Sequence, residues 1–146
     1  MNRAKLREYT FKLLYCNEFH DKNEMPKQYE LFWDNMEHIN CEEEEQSSEN
    51  IGFVSESDRD YISERVGKVA EKIGEIDKAI NEAAVGWTTE RMSKVDLTIL
   101  RLAYYEMKID DEIPEKVAVD QAVELAKKYG SNDSPAFING ILAKLF

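Results

Sequence analysis

Apolar residues in this chain recur at i, i+3, i+4 and i+7 almost everywhere outside residues 38–57, and no segment shows strict alternation flanked by turn chemistry. The pattern predicts an all-α protein of six or seven helices. Over residues 3–19, Leu6, Tyr9, Thr10, Leu13, Leu14 and Asn17 fall on one face, with Arg3, Arg7, Lys5 and Lys12 off it. A second helix is expected over about 26–38. It carries Tyr29, Leu31, Phe32, Trp33 and Met36, with Pro26 early, where a missing N–H costs nothing. From Asn40 to Ser57, with Glu42 to Glu45 consecutive, there is too little apolar surface to offset the entropy of ordering, which predicts a mobile loop.

A third helix, capped by Ser57 or Asp58, holds Tyr61, Ile62, Val66, Val69 and Ile73 and is expected to end at Gly74. A short helix follows over about 75–85. After the break at Gly86-Trp87-Thr88, the stretch Ser93 to Lys108 is apolar nearly all round, which belongs in the middle of a bundle. Ile113-Pro114-Glu115 opens the next helix. It ends at Tyr129-Gly130, with Lys127 and Lys128 in the last turn, where the helix dipole favours cations. Asn132-Asp133-Ser134-Pro135 opens the last one, which carries Phe137, Ile138, Ile141, Leu142 and Leu145. No period of 20 to 50 residues repeats, so a solenoid is not expected. The expected architecture is a single domain of two packed helical subdomains, 1–86 with an acidic loop at about 40–57, and 87–146.

The 146 residues match one average domain. With 42% apolar and 34% charged residues, no run approaches the roughly 18 to 20 apolar residues that span a bilayer. The amino terminus lacks a secretory pattern, so a cytoplasmic location is expected. There Cys16 and Cys41 stay thiols, and with only His20 and His38 beside them no zinc-type spacing occurs. Neither a metal nor a cofactor is expected.

A net charge of −11 argues at first against a polyanionic partner. Its distribution changes the picture: residues 1–19 carry +2, residues 20–60 carry −10 and the remainder −3. The first helix is a positive island, and a local basic strip still meets phosphate within a Debye length of roughly 8 to 10 Å. Arg3 and Arg7, four apart, share a helix face where guanidinium groups fork onto adjacent phosphates. Tyr15 follows two turns on and is placed to stack on a base. The plainer reading makes the arginines solvated charges, Tyr15 and Phe137 core residues, and Asp133 a helix cap. No P-loop, G-x-G-x-x-G, H-E-x-x-H or G-x-S-x-G occurs, and neither histidine has a nucleophile beside it in sequence, so an enzyme is not expected.

Three ordered motifs then resemble the NusB family of transcription antitermination factors. They are V-D-L-T-I-L-R-L-A-Y-Y-E-M (Val95 to Met107), I-P-E-K-V-A-V-D-Q-A-V-E-L-A-K-K-Y-G (Ile113 to Gly130) and D-S-P-A-F-I-N-G-I-L-A-K-L (Asp133 to Leu145). The first helix, R-A-K-L-R-E-Y-T-F-K-L-L-Y, is similar to that family's arginine-rich motif more loosely. The resemblance implies a non-enzymatic, two-subdomain helical protein. Such a protein would bind single-stranded boxA RNA of ribosomal RNA operons with a small-subunit ribosomal protein (NusE), within an RNA polymerase antitermination complex. Carried over, RNA contacts fall on Arg3, Lys5, Arg7, Lys12 and Tyr15, and on Asp133 and Phe137, while Asp96 becomes a contact for the ribosomal partner.

Four positions depart from the family pattern: Ala4 and Lys5 stand within the arginine cluster, Lys12 replaces a usual glutamine, and Ala136 stands where a lysine is common. A thinner basic strip predicts weak RNA binding by the protein alone, with the basic partner supplying attraction. Two alternatives remain. One is a protein-interaction module on the same fold with little RNA affinity. The other is the helical part of a ribosomal RNA cytosine methyltransferase; it needs a glycine-rich cofactor domain and a Pro-Cys nucleophile, whereas Cys16 follows Tyr15 and Cys41 follows Asn40.

Overall fold

The computed structural model describes residues 1–44 and 54–145, with the backbone alone for 36–44. Its described elements are seven α-helices and one π-helical turn. In chain order they are α1 (Arg3–Asn17), α2 (Met25–Glu44), α3 (Glu56–Glu71), α4 (Ile73–Ala83), α5 (Lys94–Tyr104), the π turn (Tyr105–Ile109), α6 (Glu115–Tyr129) and α7 (Ser134–Leu145). The all-α class read from periodicity is the observed one. The chain divides into two compact units, Met1–Val66 and Gly67–Phe146. That division falls within α3, ahead of the Gly86-Trp87 break.

In the first unit, Asn2 caps α1, its side-chain oxygen accepting from the Lys5 amide at 2.8 Å. The helix buries Tyr9, Thr10, Phe11, Leu13 and Leu14. Thr10 tolerates full burial because its hydroxyl donates to the Leu6 carbonyl at 2.7 Å. Tyr9 meets Trp33 of α2 at 6.3 Å, and the Arg59 guanidinium of α3 lies 5.5 Å over the same indole. Trp33 is thus the point where three helices converge.

In the second unit α5 is the central helix, packed against α4, α6 and α7. Its run from Leu97 to Ala103 is buried without interruption, which its all-round apolar character requires. Two residues in that run are polar: Thr98, whose hydroxyl donates to the Lys94 carbonyl at 2.7 Å, and Arg101. The Arg101 guanidinium grips Asp77 of α4 through two bonds, Nε to Oδ1 at 2.9 Å and Nη2 to Oδ2 at 2.8 Å, and so compensates its own burial.

Four boundaries differ from the sequence pattern. Helix α2 runs on to Glu44, into the stretch expected as a loop; residues 45–53 of that stretch lie outside the described residues. Helix α3 is capped by Ser55, whose hydroxyl accepts from the Asp58 amide at 3.2 Å, and not by Ser57 or Asp58. Gly74 does not end it: the chain turns at Lys72, and Gly74 sits in the first turn of α4. Beyond Tyr104 the ladder widens, the Asp110 amide reaching back to the Tyr105 carbonyl at 2.9 Å. This wider turn brings Tyr105, Glu106 and Met107, three residues in a row, to the interior.

The turn between α6 and α7 needs Gly130. Ser134 folds back so that its Oγ accepts from the Ser131 amide at 2.9 Å, bringing the start of α7 against the glycine. A Cβ at position 130 would lie 2.6 Å from Ser134 Cβ and 2.8 Å from the Ala126 carbonyl oxygen. Gly130→Ala is therefore expected to cost about 1 to 3 kcal/mol, seen as a lower urea midpoint at unchanged slope. An unchanged midpoint would show that the turn yields freely.

Candidate nucleic-acid interface

Helix α1 displays its cations along the edge away from the buried face. Arg3 and Lys5 are exposed, and Arg7 and Lys12 are half-buried. Glu8 sits among them, its carboxylate oxygens 3.9 Å from Lys5 Nζ and 4.0 Å from Lys12 Nζ. The Lys12 ammonium also lies 5.6 Å over the Tyr9 ring. One carboxylate thus draws on two of the strip's four cations. Glu8→Gln is expected to tighten RNA binding severalfold and to steepen its logarithmic salt dependence by up to about 0.7 for each lysine freed to meet a phosphate. Fluorescence anisotropy at several salt concentrations reads both, and an unchanged slope would mean that the lysines take no part.

Tyr15 is half-buried, its ring 6.3 Å from Phe11 on the core side and 5.0 Å, edge to face, from the exposed Phe19. The two readings of this tyrosine meet here: one side is anchored in packing, and the remainder is open for a stacked ring. At the end of the same helix, burial pushes the Cys16 thiol up from its ordinary range and, with Cys16, also raises the Tyr29 phenol.

The second unit holds the remaining candidates. Asp133 is exposed just ahead of α7, and its carbonyl accepts from the Phe137 amide at 3.1 Å, so the two residues stand one turn apart. The half-buried Phe137 ring meets Trp87 edge to face at 6.1 Å. Trp87, a helix break by its sequence pattern, is therefore part of the same aromatic group. Asp96 lies in the first turn of α5, beside the N-terminal dipole, with its amide bound to the capping Ser93 hydroxyl at 3.1 Å. Its Oδ1 is shielded from solvent and has no hydrogen-bond partner among the described residues. Among those residues, no group of three or more His, Cys, Asp and Glu side chains converges as a metal site requires, and no helix is long and apolar enough to cross a membrane.

The whole length, not only the three motifs, matches known proteins. A family model described as the NusB family matches residues 4–146. The chain belongs to the NusB family. It is 46% identical over 144 residues to the transcription antitermination protein NusB of Agathobacter rectalis, covering 99% of this chain and 98% of that one. The T. maritima NusB structure aligns with TM-score 0.76 at 27% identity, over 99% of this chain and 90% of that chain. A structure of antitermination factors NusB and NusE in complex with dsRNA shares the fold, with TM-score 0.70 at 22% identity over 98% and 96% of the two chains. NusB membership places the chain among transcription antitermination factors, which are not enzymes.

Proposed function

We propose that this chain suppresses transcription termination in the cytoplasm by binding single-stranded boxA RNA of ribosomal RNA operons jointly with a small-subunit ribosomal protein of the NusE type, within an RNA polymerase antitermination complex. The observation that carries this reading is the basic edge of α1, with Arg3 and Lys5 exposed in a chain of net charge −11, leading to the half-open ring of Tyr15. Cations spaced along a helix hold a phosphate backbone, and an adjoining aromatic ring stacks on an unpaired base. Asp133 and Phe137 are assigned to the edge of the RNA, and the half-buried Asp96 to a cation of the basic ribosomal partner. The complex of NusB and NusE with dsRNA supports joint binding to protein and RNA on this fold.

The competing reading, a protein-interaction module with little RNA affinity, draws on Glu8, which partly neutralises Lys5 and Lys12. Single-round transcription through a leader carrying boxA, followed by a terminator, separates the two. Readthrough is expected to rise only when this protein and the ribosomal protein are both present and boxA is intact. Readthrough indifferent to the boxA sequence would overturn the assignment.

A further inference from the structure

Residues 84–89 form a loop pinned at both shoulders. The Trp87 amide donates to the Ala84 carbonyl at 3.0 Å around Gly86, whose φ of +86° only glycine adopts without strain. At the far side the Thr89 amide donates to Asn81 Oδ1 at 2.8 Å, and Thr89 is buried. A loop fixed in this way nevertheless holds Val85 at 80% and Trp87 at 55% exposure. Large apolar groups kept rigidly in water mark a contact surface.

Facing Trp87 is α7, where Ala136 and Gly140, one turn apart, form a floor without side-chain branches, and Lys144 stands one turn further at the rim. With Phe137 and Ile141 these residues line a groove of about 220 Å³. A Cβ built on Gly140 meets nothing within 4 Å, so the space above the floor is open. An indole wall over a flat floor accepts a plate-shaped group. The lining holds one lysine and no carboxylate, in a chain with thirty acidic residues, which favours an anionic strand carrying flat rings over a basic peptide.

The geometry points to this slot as the seat of one unpaired nucleobase, stacked on Trp87 with its phosphate near Lys144. The inference rests on the RNA-binding reading above and adds to it a residue, Trp87, and a shape-selective floor, Gly140. Intrinsic tryptophan emission reports the contact, because the chain's other tryptophan, Trp33, is buried. The full chain, with the ribosomal protein present, is titrated with unlabelled boxA-type RNA while anisotropy of a labelled copy follows binding in parallel.

Saturable quenching is expected at the anisotropy midpoint, and it is lost in Trp87→Phe. Gly140→Leu, whose Cβ meets no neighbour within 4 Å and which improves helix propensity, is expected to fill the slot, remove the quench and weaken binding about tenfold, the contribution of one base stack. RNA binding with unchanged Trp87 emission and a wild-type affinity for Gly140→Leu would overturn the slot while leaving the RNA reading intact. A change on adding the ribosomal protein alone, and none with RNA, would make the slot a protein contact and also overturn it. Absence of any RNA binding would overturn both.

Discussion

Replacing Asp77 with alanine is expected to lower the unfolding free energy by about 3 kcal/mol and the melting temperature by roughly 10 °C. The Arg101 side chain is only 9% exposed and makes two short hydrogen bonds to this carboxylate. Removing the carboxylate leaves a guanidinium charge in the centre of the second unit, and breaking a buried pair from one side costs about 3 to 5 kcal/mol. Asp77 is itself 21% exposed, so water screens part of the loss and the lower end of that range applies. Removing both charges together, as Asp77→Leu with Arg101→Met, is expected to recover part of the stability, because apolar groups of similar reach then replace the pair. Chemical denaturation of the parent and the two variants checks this. A single substitution costing less than about 1 kcal/mol would place the pair with ordinary surface bridges.

The second large effect concerns the basic strip. Arg3→Ala/Arg7→Ala is expected to reduce RNA affinity at least tenfold near 0.1 M salt. Its plot of log affinity against log salt should be shallower by about 1.4, at about 0.7 per phosphate released from a single strand. Arg3 is exposed and Arg7 half-buried at the start of α1, away from Leu13 and Leu14, so the far-ultraviolet spectrum should stay that of the parent. The slope is the sharper readout, since it counts phosphate contacts and is insensitive to a modest change in fold stability. A parallel loss of affinity with an unchanged slope would mean that the arginines act on protein structure and not on RNA.

What the sequence pattern discloses and what it hides divide along physical lines. Helices α5, α6 and α7 are legible because their apolar spacing, the Pro114 start, the Gly130 end and the central position of α5 all point the same way. Gly74 misleads because glycine ends helices often but is also tolerated in a first turn, and only the backbone at Lys72 decides between them. The π turn is invisible to a 3.6-residue period, since one widened ladder bond at Asp110 leaves no compositional mark. In the site, Arg3, Lys5 and Arg7 can be read from charge against a strongly acidic background. Glu8's hold on the lysines is a matter of rotamers. Trp87 was hidden because its partner Phe137 lies fifty residues away and only folding brings the rings to 6.1 Å.

The most direct test of the central claim is fluorescence anisotropy of a labelled boxA-type RNA titrated with this protein, with and without the ribosomal partner, against a scrambled RNA of equal length. The account predicts weak binding by the protein alone, and tight, sequence-selective binding once the partner is added. Equal, feeble binding to both RNAs in both conditions would contradict it.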